Sequence, residues 1–534
     1  MKIHAAIAAT LADFGLTTMF GVQGDGNMFM IDSFVHDHEG RYVSTSNEAG
    51  SVIMASGYAF ASGQVGVATV TQGPGLANAL AALTVAAKEH AVMILIVGDE
   101  STRGHTQNVD QASFVLPTGA GFEVAHSPET THLDLQRAVQ RAISEKRPIV
   151  FNVENEFTFM ESTYTNGQTP ALLAHQNIRP TPEALDDAVG LIASARRPLV
   201  LAGIGAVWPD ASEALTALAE RLGAPLATTL PAKGLFGSSK YNLGVFGSLS
   251  SARAAEAIME CDCVIGVGAS LNRLTGGGDG WPFLQGKKVV RCDASAAALS
   301  SHFQADASVL ADAVNFATTV VDWLDEAEYV GTSFRDAYVK MEVVEEPAPA
   351  SDGEFVDFKY ALNFFNRILP TNRSVSVDGG RFARYVIEIL DVFNPRGFAQ
   401  GGRGFGSVGN GFTTAIGIGC AIQDAPVATF VGDGGFMLGG LAEFNTAVRH
   451  GVDLITVICN DGSYGAEYRK LQAKGFSPET SLYDWPDFAP VADALGGTGV
   501  TVRSRADLEK VVEVIEKRNR PVLIDLKLDP ASIS

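Results

Sequence analysis

Two turns, "VGDGG" at residues 431–435 and "CNDG" at 459–462, carry the residue types from which a metal and phosphate site is built. Asp433 and Asn460 stand twenty-seven positions apart, each directly after a β-branched run, "APVATFV" and "DLITVIC", that reads as a parallel strand. One helical stretch, "LGGLAEFNTAVRHG", fills the interval, so the two strands are expected to be neighbours. Their carboxyl ends, where open α/β sheets bind ligands, would then bring the two side chains together. Carboxylate and amide oxygens suit a hard octahedral cation, which takes one or two carboxylates and completes its shell with phosphate oxygens and water. The glycines at 432, 434 and 435 let backbone amides approach a diphosphate, with a helix N-terminus behind them. A lone GDG is an ordinary turn, since Gly and Asp are common turn residues. The specificity lies in the two turns together.

Such turns need sheets to carry them, and the chain has the required rhythm throughout. Short β-branched runs alternate with Ala-rich helical stretches, the pattern of parallel sheets wound with helices. "TTMFGV", "VGVATV", "VMILIVG" and "RPIVFNV" read as strands of a first set, with "NEAGSVIMASGYAFASG" and "GLANALAALTVAAKEH" as helices between them. "RPLVLAGIG", "DCVIGVG" and "KKVVRCD" make a second set; "RSVSVDGG", "APVATFVGDGG", "DLITVICNDG" and "RPVLIDLKL" make a third. Two polar, Pro-bearing passages, "TYTNGQTPALLAHQNIRPTPEAL" and "VVEEPAPASDGEF", read as linkers. The expected architecture is α/β, with three doubly wound parallel-sheet domains near residues 1–165, 180–335 and 355–534.

Composition narrows the function. With 46% hydrophobic and 19% charged residues the chain is a globular one. A formal charge of -21 and no Lys/Arg run argue against nucleic acid, whose phosphates an acidic surface repels. The longest apolar run, "AVMILIVG", is too short to cross a bilayer, and "MKIHAAIAATLADFG" lacks the apolar block of a signal peptide. A cytoplasmic protein with no membrane partner is expected. Cys261, Cys263, Cys292, Cys420 and Cys459 are odd in number and scattered through apolar segments, so they read as buried free thiols.

GDG and NDG at this spacing resemble the cofactor motif of thiamine-diphosphate enzymes. The resemblance extends over essentially the whole chain, to the group containing acetolactate synthase, benzoylformate decarboxylase and pyruvate decarboxylase. "NEAGSVIMASGYAFA", "TQGPGLANAL" and "GFGSVGNGFTTAIG" look like that group's signatures, although "FTTA", with Thr413, stands where members commonly carry "LPAA". The resemblance implies pyrimidine-binding, central and diphosphate-binding domains in that order, with thiamine diphosphate and Mg2+ as cofactors. Asp433, Asn460 and the main-chain carbonyl of Gly462 would hold Mg2+, and Gly380, Arg381, Gly434 and Gly435 would lie by the diphosphate. Glu48, in "SNEAGS", would contact the pyrimidine N1' and drive the proton shuttling that activates the cofactor; a plain first-turn Glu favoured by the helix dipole is the structural alternative. The carbonyl of Gly406 would accept from the 4'-amino group, and Val408 would wedge between the cofactor rings. A dinucleotide reading of Gly404, Gly406 and Gly409 is rejected because "NPRGFAQGGR" is a poor strand.

The substrate side is a mosaic. "FGVQGDGN" resembles the "FGVPGDxN" of pyruvate decarboxylases and places Asp25 as an acid/base, at the same twenty-three-residue distance from Glu48; a turn aspartate is the other reading. The adjacent histidines of pyruvate decarboxylases are missing, and Thr71 and Thr275 stand where benzoylformate decarboxylase has histidines. His105, in "STRGHTQNVDQ", is a candidate proton carrier from a loop, and Gln72, Asp110 and Gln111 are candidate lining residues. The flavin-associated stretch of acetolactate synthases finds only "VGASLNRLTGGG" here, so FAD is not expected.

The leading expectation is a nonoxidative 2-oxo acid decarboxylase that releases carbon dioxide and an aldehyde through an enamine. The alternative is an acetolactate-synthase-like carboligase, in which the same enamine attacks a second carbonyl compound. Behind these stand an acyl-CoA lyase and a cofactor-binding protein without turnover. The resemblance further implies active sites at a subunit interface, in a homodimer or homotetramer.

Overall fold

The computed structural model describes residues 1–100, 104–165, 167, 169–172, 177–237, 239–339, 355–531 and 533. The expected linker at 343–355 lies outside them except for Phe355, and parts of the linker at 163–185 do too. Among the described residues the chain forms three six-stranded sheets whose paired strands run parallel. It is an α/β protein, as expected.

The first sheet consists of β1 (Thr18–Gly21), β2 (Arg41–Ser44), β3 (Gly66–Val70), β4 (Met93–Asp99), β5 (Gly121–Val124) and β6 (Ile149–Glu154), in the order β2-β1-β3-β4-β6-β5. The second has β7 (Pro198–Ala202), β8 (Leu226–Thr228), β9 (Asn242–Val245), β10 (Cys263–Val267), β11 (Lys288–Asp293) and β12 (Ala307–Leu310), ordered β12-β11-β10-β7-β8-β9. The third has β13 (Ser374–Val377), β14 (Phe398–Gln400), β15 (Val427–Gly432), β16 (Leu454–Asn460), β17 (Thr498–Val502) and β18 (Val522–Lys527), ordered β14-β13-β15-β16-β18-β17. Interior strands such as β3 and β16 are buried along their whole length, which is why they read as unbroken β-branched runs. One expectation needs correction: "NPRGFAQGGR" does contain a strand, the three-residue β14, too short to show as a run and placed at the sheet edge.

Two compact units divide the chain: Met1–Ala174, Ala350–Ala383 and Ala399–Ser534 form one, His175–Pro349 and Arg384–Phe398 the other. The first unit holds the first and third sheets, which share a core. Val52, Met54 and Leu83 from one side cluster with Phe412, Ile416, Phe436 and Phe444 from the other. The helices Glu48–Ser62 and Gly411–Ala421 lie against each other at the centre of this core. Glycine makes that approach feasible: a Cβ at Gly57 would stand 2.7 Å from the Thr414 carbonyl oxygen, and one at Gly417 2.1 Å from that of Met54. The second unit has cores of its own on both faces of its sheet. All five cysteines are buried and free. No described helix is long and apolar enough to cross a membrane.

Candidate active site

The two turns meet as the strand–helix–strand argument requires. β15 and β16 are parallel neighbours with Gly432 opposite Cys459, so Asp433 and Asn460 follow at the same carboxyl edge. Helical structure begins at Asp433 itself, continues through a π-helical segment, Phe436–Gly440, and runs on as Leu441–Arg449. Asp433 is buried, and its Oδ1 accepts the Gly434 N–H at 2.8 Å. Its Oδ2 is buried and has no hydrogen-bond partner among the described residues. Burial, reinforced by the charge of Asp461, pushes the Asp433 carboxyl up to about 7. Asn460 donates from Nδ2 to Asp525 Oδ1 at 2.8 Å, which fixes its amide and aims Oδ1 back toward the turn, 3.3 Å from the Gly462 N–H. The Gly462 carbonyl accepts from Tyr483 N–H at 2.8 Å and keeps its second lone pair.

A second buried carboxylate organises the wall opposite. Asp378, directly after β13, accepts the backbone N–H groups of Gly409, Asn410 and Gly411 at 2.9–3.2 Å. Burial pushes its carboxyl up to about 6 against the lowering effect of those bonds. Gly435 passes so close that a Cβ there would stand 2.3 Å from Asp378 Oδ2. The loop held this way carries Gly406, at φ +75, and Val408, whose methyls lie over Gly379 and Gly435 while the side chain stays exposed. The Arg381 guanidinium is spent within the protein: it pairs with Asp461 at 2.7 Å and donates to the Ile533 carbonyl. What Arg381 and Gly380 offer a diphosphate is therefore backbone.

At the carboxyl edge of the first sheet, Glu48 opens its helix behind the cap residue Asn47 and accepts from Asn78 Nδ2 at 3.2 Å. Glu443, from the helix that follows the Asp433 turn, accepts the backbone N–H groups of Ser46 and Asn47. One strand over, Asp25 is exposed between two glycines that let its loop lie on the end of β3. A Cβ at Gly24 would stand 3.0 Å from Thr71 Oγ1, and one at Gly26 2.3 Å from Gln72 Oε1. Asp25, Thr71 and Gln72 are thus brought together, and the buried Gln72 reaches Gln107 at 2.9 Å. His105 is exposed, with Nδ1 accepting the Gln107 N–H at 3.3 Å. Asp110 spends its carboxylate capping Ser113. Gln111 is buried beneath the edge, donating to the Gly98 carbonyl and to Asp99. Thr275 belongs to the second unit, where Asn272 caps its short helix.

Sequence models of three domains match the chain: the thiamine pyrophosphate enzyme N-terminal TPP binding domain over residues 1–115, the central domain over 185–320 and the C-terminal TPP binding domain over 378–526. The chain belongs to the thiamine pyrophosphate enzyme family. It is 28% identical to an acetolactate synthase large subunit of Mycobacterium tuberculosis over 546 residues, 99% of this chain and 96% of that one. It is 27% identical to a sulfoacetaldehyde acetyltransferase of Alcaligenes xylosoxydans xylosoxydans over 572 residues, 98% of this chain and 93% of that one. Among solved structures, a thiamine diphosphate-dependent 4-hydroxybenzoylformate decarboxylase of Rhodococcus jostii superposes with a TM-score of 0.84 at 18% identity, over 99% of both chains. A benzoylformate decarboxylase from Polynucleobacter necessarius gives 0.86 at 16%, again over 99% of both. At those identities the structural likeness speaks for the fold.

For a thiamine pyrophosphate enzyme, the chemistry of the Asp433 turn fits the cofactor. A buried carboxylate oxygen with no donor among the described residues, beside an oriented amide oxygen and a carbonyl with a spare lone pair, is an oxygen-rich donor set that would suit a divalent cation. Asp378, Asn78, Glu443 and Gln107 escaped the sequence reading. Asp378 carried a usable signal, an Asp followed by two glycines directly after a strand. Glu443 carried none, because its backbone partners lie 396 and 397 residues away.

Proposed function

We propose that this chain is a nonoxidative, thiamine-diphosphate- and Mg2+-dependent 2-oxo acid decarboxylase. The unpartnered Asp433 Oδ2, facing the same edge as Asn460, is the observation that carries the reading. Asp433, Asn460 and the Gly462 carbonyl hold Mg2+, while the amides of Gly434 and Gly435 and the backbone at Gly380 and Arg381 lie against the diphosphate. The Gly406 carbonyl and Val408 receive the pyrimidine and set its angle. Bound thiamine diphosphate supplies the electron sink that lets a 2-oxo acid part with its carboxyl group.

Proton handling falls to the first sheet. Glu48 holds and exchanges a proton at the pyrimidine N1', in a corner where Asn78 and the cap at Asn47 fix its direction. Asp25, exposed beside Thr71 and Gln72, delivers a proton to the carbon that carbon dioxide has left, so an aldehyde is released. Val408 and Leu438 leave an exposed apolar rim by the turn, 43% and 63% exposed, which supports completion of the site by the first sheet of a second copy. A homodimer is then the smallest active unit, with a homotetramer as the expected assembly.

Carboligation is the second reading, favoured by the full-length sequence relationship to an acetolactate synthase. Both readings begin with loss of carbon dioxide and part at the acceptor. The test is carbon dioxide release from small aliphatic, branched and aryl 2-oxo acids, with Mg2+ and thiamine diphosphate present or withheld, followed by product analysis with and without an added aldehyde. Free aldehyde in the absence of an acceptor supports the decarboxylase; an acyloin or acetohydroxyacid as the sole product moves the assignment to a carboligase. Cofactor binding without release of carbon dioxide from any acid sinks both.

A further inference from the structure

A hydrogen-bond relay of fixed polarity runs along the carboxyl edge of the first sheet. It starts at the Gly26 N–H, which can only donate and reaches Thr71 Oγ1 at 3.4 Å. The Thr71 hydroxyl donates in turn to Gln72 Oε1 at 2.6 Å. That leaves Gln72 its Nε2, which donates to Gln107 Oε1 at 2.9 Å. Each link decides which way the next amide faces, because an amide that presents its oxygen on one side presents its N–H groups on the other. The relay ends on Gln107 Nε2, for which no described residue serves as acceptor.

The segment bearing Gln107 is tightly seated. Gly73, at φ +60, passes so close beneath it that a Cβ there would stand 2.6 Å from the Gln107 carbonyl oxygen, and the Gln107 N–H is taken by His105 Nδ1. Strand order supplies the location. β2, β1, β3 and β4 are consecutive neighbours, spaced about 4.8 Å apart as strands are, so Glu48, Asp25 and Thr71–Gln72 stand side by side along one edge, with Gln107 bonded to Gln72.

We infer that Gln107 orients the substrate, the amide N–H for which no described residue is an acceptor taking a carboxylate oxygen of the 2-oxo acid, with Gln72 as the positioning residue behind it. The inference rests on the decarboxylase or carboligase reading of this site. A neutral donor suits the chemistry. It fixes the direction of the bond to be broken without the strong hold on the carboxylate that a cation exerts, a hold lost as carbon dioxide forms and therefore opposed to the step.

The test is calorimetric binding of methyl acetylphosphonate and methyl benzoylphosphonate, 2-oxo acid analogues that cannot lose carbon dioxide, to the full chain loaded with Mg2+ and thiamine diphosphate. Gln107→Leu is expected to weaken binding of the better analogue by roughly 10- to 100-fold, the effect of deleting a hydrogen bond to a charged group. Thiamine diphosphate affinity should stay within about twofold of wild type, as for a group that touches only substrate. Gln107→Glu keeps the shape and reverses the polarity. It should bind poorly at about pH 8 and recover toward wild type near pH 5, where the carboxyl is partly protonated and can donate. A packing role would produce no such recovery. Wild-type affinity in Gln107→Leu, or a flat pH profile in Gln107→Glu, in an enzyme that does release carbon dioxide overturns the inference alone. A loaded wild-type enzyme that neither releases carbon dioxide nor binds either analogue overturns the functional reading and the inference with it.

Discussion

Glu443 accepts the backbone N–H of Asn47 at 3.0 Å, so a carboxylate from the third sheet's helix ties down the residue immediately before Glu48. The same carboxylate takes the Ser46 N–H at 3.1 Å and the Thr446 hydroxyl at 2.7 Å, and it is 2% exposed. Gly50 makes room for it, since a Cβ there would stand 2.4 Å from Oε1. Removing this acceptor deprives two part-buried N–H groups and the Thr446 hydroxyl of a charged partner. Glu443→Ala is therefore expected to lose about 2–4 kcal/mol of stability in denaturant unfolding, and to lose carbon dioxide release beyond what unfolding explains. Wild-type stability in the variant would show that water replaces the carboxylate at no cost.

Glu48→Gln keeps the side-chain volume and the contact with Asn78 while removing the exchangeable carboxyl proton. Turnover should fall by about 10²–10⁴, the range for loss of a general acid or base, with thiamine diphosphate still bound. Stopped-flow carbon dioxide release alongside fluorescence titration of the cofactor separates the two effects.

Asp433→Asn should act in opposite directions with and without the cofactor. The native carboxylate is buried with one oxygen unpartnered and Asp461 nearby, so an amide of the same shape should raise the stability of the cofactor-free protein, by about 1–3 kcal/mol. With Mg2+ and thiamine diphosphate the order should reverse, because only the wild type gains the binding energy of the cation. Thermal melts under the two conditions check both signs, and a destabilised cofactor-free variant would count against an uncompensated charge at this site.

His450 provides a pH-sensitive link between the two sheets of the first unit. Its Nε2 accepts the Ser44 N–H at 3.1 Å, which only the neutral ring can do. Burial, with Arg449 and Arg41 beside it, holds its pKa below the usual histidine value. The unfolded chain takes up the proton near 6.5 and the folded chain only at lower pH. The contribution is therefore complete above 6.5, declines as the pH falls toward the folded value and is level below that. The stability difference between wild type and His450→Gln should accordingly shrink between about pH 8 and pH 5. A constant difference would place the ring proton elsewhere.

The parts of the molecule legible in the sequence are those that short-range patterns control. β4, β15 and β16 are buried through nearly their whole length, and such strands announce themselves as continuous apolar runs. β2 and β17 are half-exposed edge strands and β14 has three residues, so no run betrays them. Asp433 and Asn460 could be paired from the sequence because a strand–helix–strand unit places its ends side by side within twenty-seven residues.

Local turn chemistry and periodicity thus determined the α/β architecture, the Asp433–Asn460 edge and the position of Glu48 at a helix start. Tertiary structure alone decided that Glu443 holds the backbone ahead of Glu48 across 396 residues, that the Arg381 guanidinium is consumed by Asp461, and that Gln107 is seated on Gln72 while the exposed His105 accepts its N–H. Backbone geometry follows from neighbours a few residues away. Which side chain faces which, and whether an amide turns its oxygen or its nitrogen outward, depends on partners that only chain folding brings within hydrogen-bond reach.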